Sequence, residues 1–215
     1  RTGAPLGAAA RYPSGEGGPA AHLDARPVGR KQPVGSGEHN RPRKRRMSLA
    51  HTTDATDDDL EVLREQLGRV PRGVVGIAAR CVCGCPLVVA TSPRLPDGTP
   101  FPTTFYLTHP AAVKGASTLE AEHVMERLNE DLAADEDLRG AYERAHRAYI
   151  EARLTLGEVP EISGVSAGGM PTRVKCLHAL VGHSLAAGPG VNPIGDRVLT
   201  MLDERGLFSP HRCFC

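Results

Sequence analysis

The sequence has no run of eighteen apolar residues and no apolar segment of signal-peptide type, which excludes a membrane-spanning helix of ordinary length and sets the expectation of a cytoplasmic protein. It has no G-x-x-x-x-G-K-[ST] loop for nucleoside phosphates and no H-E-x-x-H pair of histidines at helical spacing. Nor does it have two C-x-x-C pairs, the spacing that marks a zinc ribbon most strongly. Tryptophan is absent, and aromatic residues make up only 4% of the chain. What is present, 40% hydrophobic and 24% charged residues over 215 positions, fits one soluble domain if most of the chain folds.

Residues 1–46 stand apart from that domain. They hold eight Gly and six Pro, show no apolar period and close on the basic run Arg41-Pro42-Arg43-Lys44-Arg45-Arg46. Such a segment cannot bury enough surface to offset its ordering entropy, so it is read as a disordered extension. The first methionine, Met47, stands where the composition changes. One reading makes Met47 the true start and residues 1–46 an upstream translation artefact; the other makes the extension an arm for nucleic acid or targeting. The extension carries 10 Lys+Arg and 3 Asp+Glu, which leaves 16 basic against 22 acidic side chains in the remaining 169 residues. A domain with that balance has no overall electrostatic footprint for nucleic acid.

Residues 47–208 read as a single α+β domain. Asp57 to Gly68 opens on acids, places Leu60, Leu63 and Leu67 on one face and stops at glycine, the pattern of a short amphipathic helix. Val74 to Ala79, Pro86 to Thr91 and Thr103 to Thr108 are β-branched, aromatic or small apolar runs, predicting a three-stranded antiparallel sheet. Ser117 to Ala134 and Asp135 to Leu156 repeat their apolar positions at helical spacing and predict a helical hairpin, with Asp135 as the second N-cap. A long loop over residues 157–170 leads to a helix expected from Pro171 to Ala187, and Asn192-Pro193 starts a last one. The sheet is expected to pack on the helical hairpin and the C-terminal helices.

Five blocks, among them Leu95-Pro96-Asp97-Gly98-Thr99-Pro100-Phe101-Pro102, Ser166-Ala167-Gly168-Gly169-Met170-Pro171 and Lys175-Cys176-Leu177-His178, occur in an order that resembles an uncharacterised family. It is domain-of-unknown-function family five-hundred-and-one, of high-GC Gram-positive bacteria. The resemblance spans about Leu60 to Leu202. It implies no established activity and no catalytic residues.

The chemistry the residues themselves suggest is thiophilic. Cys81, Cys83 and Cys85 lie within five residues at the turn of the expected hairpin, and Cys176 with His178 forms a C-x-H pair more than ninety residues later. Reduced thiols and imidazole suit zinc, and the best tetrahedral set is Cys81, Cys83 and Cys176 with either His178 or His109. The bland alternative is a set of buried thiols without metal, and a redox role is a third. Residues 209–215, with Cys213 and Cys215, are read as a flexible reduced tail outside the ligand set.

A second constellation is the Gly-rich loop Ser166, Gly168 and Gly169 with Arg173 and Lys175 in the first turn of the following helix, where backbone N–H groups and two cations would hold an anion. Gly164-Val165-Ser166-Ala167-Gly168 also spells G-x-S-x-G, with Asp196 and His211 following in hydrolase order, yet the buried strand a nucleophile elbow needs is missing. The leading expectation is therefore a zinc-stabilised cytoplasmic domain that binds an anionic ligand or a protein partner through the Gly-rich loop. Its alternative is a metal-dependent hydrolase of a phosphorylated or acyl substrate, with Glu158, Glu161 or Asp196 as general base.

Overall fold

The computed structural model describes Leu49 and residues 51–215, so the expectations for residues 1–46 and for Met47 lie outside the described residues. Helix α1 (Asp57–Leu67) starts at a capping box in which Thr56 and Asp59 exchange side-chain and backbone hydrogen bonds, and Gly68 ends it in the left-handed conformation. Three antiparallel strands follow in the order β1 (Val74–Arg80), β2 (Pro86–Thr91) and β3 (Phe105–Leu107), with β2 in the centre. Every residue of β2 is buried because both faces of the sheet are covered. Ile77 and Val89 meet Leu63 of α1 on one face, while Ala78, Val88, Ala90 and Phe105 point into the larger core on the other.

Behind the sheet lie α2 (Pro110–Ala121), α3 (Val124–Ala134), α4 (Glu136–Leu154), α5 (Leu177–Ala187) and α6 (Pro193–Glu204). The α+β architecture is the expected one, with three differences of detail. Pro110, well ahead of the helix expected from Ser117, is the first residue of α2, a position where its missing N–H costs nothing. The helix expected over 117–134 is two helices, divided at His123, whose φ of 61° breaks the right-handed path. The helix expected from Pro171 starts at Leu177, because Cys176 is still extended (φ −151°) and Asn129 pins Val174 by accepting from its N–H at 2.7 Å and donating to its carbonyl at 3.0 Å.

Helix α5 is the hub of the molecule. It crosses β3 so closely that a Cβ on Gly182 would lie 2.9 Å from the carbonyl oxygen of Phe105. It crosses α6 more closely still, since a Cβ on Gly195 would lie 2.3 Å from the carbonyl oxygen of Leu180. The loop before it is clamped from beneath by the buried Arg153, which donates to the carbonyls of Ile162 (2.8 Å) and Val165. Residues 209–215, expected as a flexible tail, pack back on the domain. Ser209 is buried, the Phe214 ring sits 5.8 Å from the fully buried Phe208, and Arg212 donates to Asp203 at 2.6 Å.

Candidate metal centre

The β1–β2 turn is tight: the Cys81 N–H donates to the Cys85 carbonyl and the Gly84 N–H to the Cys81 carbonyl, both at 2.8 Å. That turn holds Cys81 and Cys83 toward the returning C-terminal segment. Cys81, Cys83, Cys213 and Cys215 then bring their sulfur atoms within 4.8 Å of one another, with Cys81 buried and the other three exposed. Cys83 and Cys215, 132 positions apart, have their sulfurs 3.1 Å apart. The Cys83 thiol is lowered to about 6, first by the Cys85 backbone N–H and then by the thiols of Cys215, Cys81 and Cys213. The Cys215 thiol is pushed up, by desolvation within the cluster and then by the thiols of Cys83, Cys85, Cys213 and Cys81. One thiolate therefore forms easily and makes the next one harder, unless a cation enters the cluster.

From sequence, Cys81 and Cys83 are expected with Cys176 and His178 or His109. His109 caps the start of α2 and lies at the edge of the four-thiol cluster, its Nε2 3.5 Å from the Cys215 sulfur. It is 1% exposed, its pKa is lowered by burial, and its Nδ1 has no partner among the described residues. Cys176 and His178 belong to a different cluster. There the Cys176 sulfur is 4.0 Å from His178 Nδ1, and the same nitrogen is 3.2 Å from Glu120 Oε1 on α2. His178 is raised to about 9 by the Cys176 thiol, then by Glu120, and the Cys176 thiol is lowered chiefly by His178.

Sequence reasoning missed Cys213, Cys215 and Glu120. The first two repeat the C-x-C spacing of Cys81 and Cys83, which is the signal in the sequence that could have found them. Glu120 sits in an ordinary helix with no motif around it.

The Gly-rich loop is held by bonds to itself. The N–H of Lys175 donates to the Gly168 carbonyl at 2.7 Å and that of Arg173 to the Gly169 carbonyl at 3.1 Å, so neither cation lies in a helical first turn. The first N–H of α5, on Leu177, donates to Glu120 Oε1 at 2.7 Å. Ser166 is buried, 2.8 Å from His146 Nδ1 and donating to the Met170 carbonyl. Asp196 accepts instead from the Ser184 hydroxyl (2.6 Å) and the Gly190 N–H (2.7 Å), so the G-x-S-x-G residues gather no triad. Glu161 is held ionised by a two-pronged pair with Arg94.

Sheet, helices and thiol cluster together define an α+β domain with a group of cysteines able to hold a metal ion. The family model described as a protein of unknown function (DUF501) matches residues 77–200, more than half of the chain, and the chain belongs to that family. The match includes Cys81, Cys83, Glu120, Cys176 and His178 and ends before Cys213. No curated protein and no solved structure matches the chain. Among the described residues no helix is long and apolar enough to cross a membrane.

Proposed function

We propose that the chain is a zinc-stapled binding domain, in which Zn2+ held by Cys81, Cys83, Cys213 and Cys215 ties the C-terminal segment to the β1–β2 turn. The observation that carries the reading is the convergence of four thiols, two from the β1–β2 turn and two from the C-terminal segment, to within 4.8 Å. Thiolate sulfur suits zinc over harder cations, and a four-thiolate site is closed, so the ion contributes folding energy and leaves no position for a substrate. His109 beside Cys215 gives the site a polar neighbour that stabilises thiolate charge.

The staple has a consequence for binding. Pro210 and His211, just before the tail cysteines, share the lining of a cleft of about 440 Å³ with Leu185, Asp196 and Leu199, a size that suits a small ligand or a peptide side chain. Asp203 and Glu204 also line it, which disfavours an anion there. An anionic ligand or partner segment would instead meet the exposed side chains of Arg173 and Lys175, since the loop backbone beneath them is already bonded.

Elemental analysis of the full chain purified without added metal tests the staple. Zinc is expected in the parent, with one equivalent fewer in both Cys83→Ser and Cys215→Ser. A parent without zinc, or variants that keep the parent's full zinc content, would sink the reading.

A further inference from the structure

The Glu120, Cys176 and His178 cluster has a geometry that a nucleophilic cysteine does not account for. In a thiol nucleophile activated by imidazole and oriented by a carboxylate, the two ring nitrogens are divided, one facing the thiol and the other the carboxylate. Here both groups face Nδ1, at 4.0 Å for the sulfur and 3.2 Å for the carboxylate oxygen. The other nitrogen, Nε2, is committed to the Val113 carbonyl at 3.2 Å and lies 3.1 Å from the Ser117 hydroxyl. That division is the one a metal-binding histidine shows once an ion displaces the Nδ1 proton: the outer N–H donates to a backbone carbonyl and the inner nitrogen faces the ion. The carboxylate is likewise fixed, by the Leu177 N–H at 2.7 Å.

The spacing agrees. With metal–sulfur and metal–nitrogen bonds near 2.3 and 2.0 Å, a tetrahedral ion separates sulfur from nitrogen by about 3.5 Å, and nitrogen from oxygen by about 3.3 Å. The observed 4.0 and 3.2 Å need movements of only tenths of an ångström. All three donor atoms lie within 4.8 Å of one another, and the side chains of His178 and Glu120 are 28% and 26% exposed, so solvent reaches the site.

We propose that Glu120, Cys176 and His178 form a second metal site, for Zn2+ or a similar divalent transition ion, with its fourth coordination position open to water or an anionic oxygen. Mixed S, N and O donors suit zinc, and three protein ligands with an open position are the arrangement that lets an ion polarise a bound water or a phosphoryl or acyl oxygen. The site shares no residue with the four-thiol cluster and does not depend on it.

The test loads the full reduced chain with Co2+ and with Zn2+, reading the visible spectrum of the first and the bound equivalents of the second. Cys176→Ser and Glu120→Gln are the informative variants, because serine is a good N-cap at position 176 and glutamine keeps an oxygen for the Leu177 N–H. Two equivalents are expected in the parent and one in each variant, and azide should shift only the part of the cobalt spectrum that the variants lose. Retention of two equivalents in both variants would overturn the proposal. One equivalent in the parent that vanishes in Cys83→Ser and survives in Cys176→Ser would overturn it too, leaving the staple intact. One equivalent with the opposite pattern would remove the staple and keep this site.

Discussion

At the scale of single residues, His183 shows how the core constrains chemistry. It lies on α5 at 1% exposure, stacked on Phe105 with ring centroids 5.6 Å apart and edge-on to Tyr149 at 5.0 Å. Asn192 donates to its Nδ1, and burial lowers its pKa to about 4 from an ordinary 6.5. Because the folded state resists the proton that the unfolded chain accepts, the stability tied to this residue is complete above pH 6.5 and is lost as pH falls toward 4. The gap corresponds to up to about 3 kcal/mol. In an NMR titration the His183 ring is expected to keep its neutral shifts through about pH 6 and to titrate with a midpoint near pH 4. A titration midpoint near 6.5 would contradict its placement in the aromatic stack. His183 was readable in sequence only as a histidine on a helix, and its buried role depends on β3 and α4 arriving from elsewhere in the chain.

At the scale of elements, the close crossing of α5 and α6 makes a paired prediction. A methyl at Gly195 would overlap the Leu180 carbonyl at 2.3 Å and the Ser184 hydroxyl at 2.5 Å, so Gly195→Ala must push two helices apart at a cost of roughly 1–3 kcal/mol or more. Gly140, within α4, has as nearest neighbour the flexible end of Arg144 at 3.6 Å, so Gly140→Ala should stabilise by about 0.5–1 kcal/mol. Thermal melts of the two variants should move in opposite directions, and a neutral Gly195→Ala would mean that the helices do not cross as described. The same elements show what local pattern can reveal. The extent of α1, the three strands and the caps of α4 and α6 follow from periodicity, Asp135, Asn192 and Gly68. The break at His123 and the late start of α5 were not legible, because the first turns on a single left-handed residue and the second on Asn129, which bonds to Val174 across 45 positions. The four-thiol cluster shows the same limit: each C-x-C spacing is legible in sequence, while which two pairs meet is decided by the fold.

At the scale of the whole molecule, the C-terminal segment is where the metal reading has its largest effect. Ordering residues 209–215 costs about 1–2 kcal/mol of backbone entropy per residue. Against this stand an exposed Arg212–Asp203 pair, worth at most about 1 kcal/mol, and the partly buried Phe214 beside Phe208. A metal ion bound only by the folded arrangement would add to those contacts, by an amount that grows with the logarithm of its free concentration over its dissociation constant. Chelation is therefore expected to release residues 209–215 first. Their amides should lose hydrogen-exchange protection and the tail should become open to carboxypeptidase, while α5 and β2 stay protected and the melting temperature falls. Adding zinc back should restore all three. Protection of Arg212 and Cys213 that persists unchanged in chelator would mean that packing alone holds the tail, and the four thiols would then be neighbours without a shared ion.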